Sequence, residues 1–164
     1  MSNLPFDPAA FLDATTTEAN ERRQPLPVEN PDHPNGLYIA TIGELKAPKT
    51  GTIEKGDRAG QPWVSMQIPL KIDVPAVLQE SLKLPAQLTF TDGVFLDLTP
   101  NGTEDNSPGK NRRKRAYRDA TGTNVAGEPF KWRDLQGRVV AVQLSHRVLD
   151  DGAVMEEIKN VLPA

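Results

Sequence analysis

Residues 63–72, WVSMQIPLKI, carry the clearest alternation in the chain. Val64, Met66, Ile68, Leu70 and Ile72 fall on one side of an extended segment, and Trp63, Ser65, Gln67 and Lys71 on the other. A second alternating run, QLTFTDGVFLDLTP at 87–100, places Leu88, Phe90, Val94, Leu96 and Leu98 on one face and Thr89, Thr91, Phe95 and Asp97 on the other. GLYIATIGEL at 36–45 has strand composition, with a bulge expected at Gly43. RVVAVQLSHRV at 138–148, the Asp-Gly turn LDDGA and AVMEEIKNVLP at 153–163 read as a closing hairpin.

The segments between these strands differ in kind. APKTGTIEKGDRAGQP, after the first strand, is a long turn-rich loop. VPAVLQESLKLP at 74–85 fits a short helix between two prolines. SPGKNRRKRAYRDATG at 107–122 predicts a helix over 108–121, with Ser107 as N-cap, Pro108 at the first helical position and Gly122 as the stop. FKWRDLQG makes a turn before the fourth strand. At the N-terminus, Phe6 and Phe11–Leu12 are apolar anchors around a turn of helix after Asp7. Pro25, Pro27, Pro31 and Pro34 then disfavour both helix and sheet interior.

The order is strand, strand, strand, helix, strand, strand, with no internal repeat. That is a mostly all-β chain with the topology of a five-stranded OB-fold, a Greek-key barrel with its helix between strands three and four. A β-sandwich would want about seven strands. The expected organisation is a proline-rich acidic arm at 1–35 and one domain at 36–164, with the 74–85 helix inserted between strands two and three.

Composition narrows the function. The 164 residues contain no cysteine, which removes disulfides, thiolate metal sites and a cysteine nucleophile together. MSNLPFDPAAFLDATTTEAN has no basic start and no long apolar run, and no segment approaches a membrane span, so a soluble, cytoplasmic protein is expected. The net charge of −3 hides an asymmetry. Residues 1–35 set two arginines against six acids, whereas residues 101–149 set ten Lys and Arg against five acids. A polyanion responds to the local field, so the acidic total does not exclude nucleic acid.

Catalytic chemistry has little to stand on. His33 lies in the proline-rich arm, and His146 shares parity with Val140, Val142 and Leu144, which favours a partly buried structural imidazole. No second histidine stands at ligand spacing, and PGKN at 108–111 lacks the first glycine and the Ser or Thr of a P-loop. Asp150–Asp151 read as a turn. No metal, cofactor or enzymatic activity is expected.

Two features point instead to nucleic acid. Arg112, Arg113, Lys114, Arg115 and Arg118 wrap much of a helix on which Ala116, Tyr117 and Ala120 form the apolar seam. They suit either a phosphate-binding patch or a merely solvated charged helix. The second feature is Trp63 and Phe95 on polar strand faces, where a ring beside hydroxyls and Lys71 suits base stacking. The competing reading covers both rings with the arm or the 74–85 helix. Tyr38 is a further candidate ring on a strand that does not alternate cleanly. Lys131, Arg133 and Arg147 are secondary phosphate candidates, and Trp132 reads as a plug under the barrel.

FDPAAFLDATTTEANERRQPLPVENP, FLDLT at 95–99, and FKWRDLQGRVVAVQLSHRV followed by EEIKNV together resemble a family of small phage-encoded single-stranded DNA-binding proteins with an OB-fold. The resemblance implies coating of single strands in phage DNA replication or recombination, without enzymatic activity. Self-association and contacts with phage replication proteins fit the same picture, and the choice between DNA and RNA stays open. The resemblance leads one to expect more leucine in the helix after strand three than NRRKRAYRDATG holds. The alternative from the residues alone is a protein-interaction module, a virion component or replication adaptor, whose basic helix meets an acidic partner.

Overall fold

The structure, a computed structural model, describes residues 7–164; Phe6 lies outside them. The strands are β1 (Tyr38–Ile42), β2 (Lys49–Thr52), β3 (Pro62–Asp73), β4 (Gln87–Phe95), β5 (Val139–Val148) and β6 (Val154–Pro163). The helices are α1 (Ala10–Asp13), α2 (Ala76–Ser81) and α3 (Arg112–Thr121), with a 3-10 turn at Trp132–Leu135. The protein is mostly β, and its strands form one antiparallel sheet.

The twelve-residue β3 organises that sheet. One of its edges pairs with β4 along its length, from Ser65 opposite Phe95 to Asp73 opposite Gln87. Its other edge pairs first with β2 and then with β1, which lie end to end: Ser65 also faces Lys49, and Ile72 also faces Ala40. β5 joins the free edge of β1, and β6 joins β5 with a register shift between Gln143 and Leu144. The described strands therefore number six rather than five. The extra strand lies in KTGT, inside the segment expected to be loop. Thr50 and Thr52 flank a glycine there, and the edge of β3 beyond β1 would otherwise leave its backbone unpaired.

The even-numbered face of β3 is the core face. Ile68, Leu70 and Ile72 are fully buried with Tyr38, Ala40 and Ile42 of β1 and Val140, Val142 and Leu144 of β5. No ladder joins β4 to β6 among the described residues, and α3 packs beside that gap, against β6 and β5. It docks through Tyr117, which is fully buried, with Ala116 and Ala120 partly buried beside it. The alanine and tyrosine seam thus suffices without the leucines expected from the resemblance.

The helix begins at Arg112, four residues later than the caps suggested. Ser107 instead bonds Asp105. Asn111 takes the N-cap place with φ of 49°, and its backbone N–H donates to the Asp97 carboxylate (2.7 Å). The Asp97 N–H donates to Asn111 Oδ1 (2.8 Å), and Asn111 Nδ2 donates to the Asp105 carbonyl (2.9 Å). Asn111 is therefore a buried knot that ties the end of β4 to the start of α3. Gly122, with φ of 70°, ends the helix as expected.

The proline-rich arm is partly built into the domain. Leu26 is fully buried in the core, the Tyr38 hydroxyl donates to the Pro27 carbonyl (2.8 Å), and His146 Nε2 meets the Leu26 carbonyl at 2.6 Å. Arg23 forks onto the Glu156 carboxylate at 2.7 and 3.0 Å, and Arg22 pairs with Asp151. Residues 7–24 stay exposed, with Leu12 88% accessible. His146 has the structural role expected of it, but as an exposed residue at the arm's docking line.

Candidate nucleic-acid interface

Alternation along β3 and β4 puts Trp63, Ser65, Gln67, Pro69 and Lys71 on the face opposite the core, level with Phe95, Gly93, Thr91 and Thr89. Lys49 and Gly51 of β2 extend the same face. Phe95 is 71% exposed and Trp63 half-buried, and their ring centroids stand 5.7 Å apart with planes at 61°. The arm docks elsewhere: Arg23 stacks over Phe90, on the other face of β4 from Phe95.

The two rings are not equivalent. A Cβ built on Gly51 would lie 2.6 Å from the Trp63 ring, so the indole lies directly on the Gly51 backbone. An aromatic laid across an edge-strand glycine restores the cover that the missing side chain withholds. Trp63 is thereby held in place by β2 and supports Phe95, whose accessible ring is the better stacking platform. Lys71 sits on the same face six residues beyond the Phe95 row, roughly 20 Å along the strand at the usual rise.

Tyr38 does not belong to this surface. It is fully buried, and burial, with the Glu156 charge nearby, pushes its hydroxyl up to about 12. On a short strand covered by the arm, its ring completes the core.

The basic run divides into two sets. Lys114 is 8% exposed, pairs with Glu104, donates to Asn106 Oδ1 (3.1 Å) and lies over the Phe130 and Trp132 rings. Arg118 stacks on Phe130 at 4.4 Å and donates to the Thr123 carbonyl (3.0 Å). Arg113 donates to the Ile158 carbonyl (3.0 Å) and pairs with Asp92 at 3.5 Å. These three, expected as phosphate contacts, hold α3 in place through partners within the protein. Arg112 and Arg115 are exposed and hold no partner among the described residues.

The secondary candidates scatter. Lys131, which caps the 3-10 turn, and Arg133 on it are exposed, and the Lys131 backbone N–H donates to Asp134 (2.8 Å). Arg147 pairs with Glu157 at 3.0 Å on the β5–β6 hairpin, two strands from β3. Trp132 is half-buried, with Nε1 donating to Glu104 at 2.6 Å, which agrees with a supporting role. Clefts of about 540 Å³ at 147–151 and about 530 Å³ between 21–24 and 81–83 lie away from Trp63 and Phe95.

Lys49, Gln67 and Gly93 are the positions that sequence reasoning left out of the site. The Thr-Gly-Thr alternation after Lys49 was the available signal for the first, and the alternation of 63–72 already put Gln67 on the Trp63 face; register alone supplies Gly93. Among the described residues, no group of three or more His, Asp or Glu is placed to hold a metal ion, and no helix is long and apolar enough to cross a membrane. No family model, curated protein or solved structure matches the chain.

Proposed function

We propose that this chain is a non-enzymatic single-stranded DNA-binding protein of OB type, which coats single strands in phage DNA replication or recombination. The observation that carries the reading is Phe95, an exposed ring on a polar strand face with Ser65, Gln67 and Lys49 beside it and Lys71 farther along the same face. A ring presented this way stacks any base, and lysines at the margins neutralise phosphates.

The strand order supports the fold assignment. If β1 and β2 are taken as one broken strand, the order is β4-β3-β1-β5-β6, with a helix between β4 and β5. That is the five-strand order of an OB barrel whose last seam is covered by α3. Arg112 and Arg115 add a phosphate rail at the end of β4, because the Asn111–Asp97 knot anchors α3 two residues past Phe95.

Titration of a fluorescent thymidine oligonucleotide at two salt concentrations tests the proposal. Binding that weakens steeply with salt is expected. No binding at low salt overturns it and favours the interaction module, in which Arg112 and Arg115 meet an acidic protein.

A further inference from the structure

Four positions on the outward face form a cell: Phe95 is paired with Ser65, and Gly93 with Gln67. Trp63 flanks Phe95 on one side along the strands, and Gly93 flanks it on the other. Gly93 is exposed and carries no side chain, so a bay opens beside the Phe95 ring. The bay has a polar wall. A Cβ placed on Gly93 would stand 3.6 Å from Ser65 Oγ and 3.7 and 3.8 Å from Gln67 Nε2 and Oε1.

The orientation of the Gln67 amide is determined by its neighbours. Its Nε2 donates to Ser65 Oγ (2.8 Å) and lies 3.3 Å from the Ser65 carbonyl oxygen. A carbonyl only accepts, so nitrogen must be the atom turned toward Ser65. Gln67 Oε1 is left as an acceptor at the bay, and it receives no hydrogen bond from the described residues.

We infer that the Gly93 bay is a nucleobase subsite, with Phe95 stacking the base and Gln67 Oε1 accepting from its exocyclic amine. This rests on the single-strand reading above and adds a base preference to it. Where cytosine carries its N4 amine and adenine its N6 amine, thymine and uracil carry the O4 carbonyl oxygen, which would face Oε1 oxygen to oxygen. A neutral hydrogen bond in such a setting is worth about fivefold in affinity. The subsite therefore tilts a sequence-tolerant binder toward amine-bearing bases.

The test compares oligodeoxycytidine with oligodeoxyuridine of equal length, which differ at the amine position and lack the thymine methyl. Wild-type protein is expected to bind the cytidine oligomer about fivefold more tightly. Gln67→Leu should bring the two affinities together while retaining the uridine affinity. Gly93→Ala, whose new methyl meets only ordinary contacts, should keep the fold and weaken both. Equal affinities in wild type, or a cytidine preference that survives Gln67→Leu, overturn the subsite while single-strand binding stands. Absence of binding to either oligomer overturns both readings. Circular dichroism of each variant separates a lost subsite from a lost fold.

Discussion

The Tyr117 hydroxyl donates to the Asp92 carboxylate across 2.7 Å, in a site closed to solvent. Asp92 stands on the core face of β4 opposite Ile68, where an apolar residue would be expected. Arg113 pairs with the same carboxylate while its guanidinium reaches the Ile158 carbonyl of β6. One helix thus spans the gap between the two edge strands by hydrogen bonds that a sheet ladder would otherwise supply. Burial raises the Asp92 carboxyl above its ordinary value despite Tyr117 and Arg113, and burial together with the Asp92 charge raises the tyrosine.

Removing the hydroxyl leaves a buried acceptor short of a partner. Tyr117→Phe should destabilise the fold by about 1–3 kcal/mol, read as a lower denaturant midpoint at unchanged slope. An unchanged midpoint would mean that the seam is held by Arg113 alone.

The raised carboxyl sets a pH signature. Folded Asp92 holds its proton above the ordinary value of 3.8, so its contribution to stability declines as pH rises from there through the raised value. The stability of wild type relative to Asp92→Asn should accordingly fall over that interval and then level. A difference that stays flat from pH 3 to 7 would contradict this.

Glu156 behaves in the opposite sense. Burial works to raise it, but hydrogen bonds from Arg23 and the Leu26 N–H outweigh burial and bring it below 4.5. Its contribution is present above pH 4.5 and lost as pH falls through the lowered value. Limited proteolysis should therefore cut near residues 22–30 faster in acid, and Glu156→Gln should show faster cutting already at pH 7.

The rings should separate in their effects. Phe95→Ala is expected to weaken single-strand binding by about 1–3 kcal/mol with the melting temperature nearly unchanged, since its ring is exposed. Trp63→Ala should lower both binding and stability, because it also uncovers Gly51. Gly51→Ala, with a contact of 2.6 Å to the indole, should displace Trp63 and shift its fluorescence. Fluorescence identical to wild type would refute the stacked arrangement.

The two sets of cations should separate as well. Arg112→Ala with Arg115→Ala should flatten the salt dependence of binding and leave the melting temperature within about 1 °C, as exposed surface changes cost little. Lys114→Ala should instead lower stability by removing the ammonium paired with Glu104 and leaving it only the Trp132 hydrogen bond, with the salt slope intact. The reverse pattern would assign Lys114 to the ligand.

Much of this was legible in the amino-acid pattern. Period-two alternation located β3 and the β5–β6 hairpin within a residue or two and the start of β4, which ends five residues before the alternating run does, and two prolines bracketed α2, because burying one face of a strand or helix leaves a local periodic trace. Trp63 and Phe95 were placed on the outward face for the same reason. Other features depend on residues distant in sequence. KTGT becomes a strand because β3 has an unpaired edge beside it. Tyr38 is buried because Leu26 and Pro27 return over it, and Lys114, Arg113 and Arg118 turn inward because Glu104, Asp92 and Phe130 wait there. A sequence lists cations without their partners; only folding decides which charges are neutralised by protein and which, like Arg112 and Arg115, remain for something else.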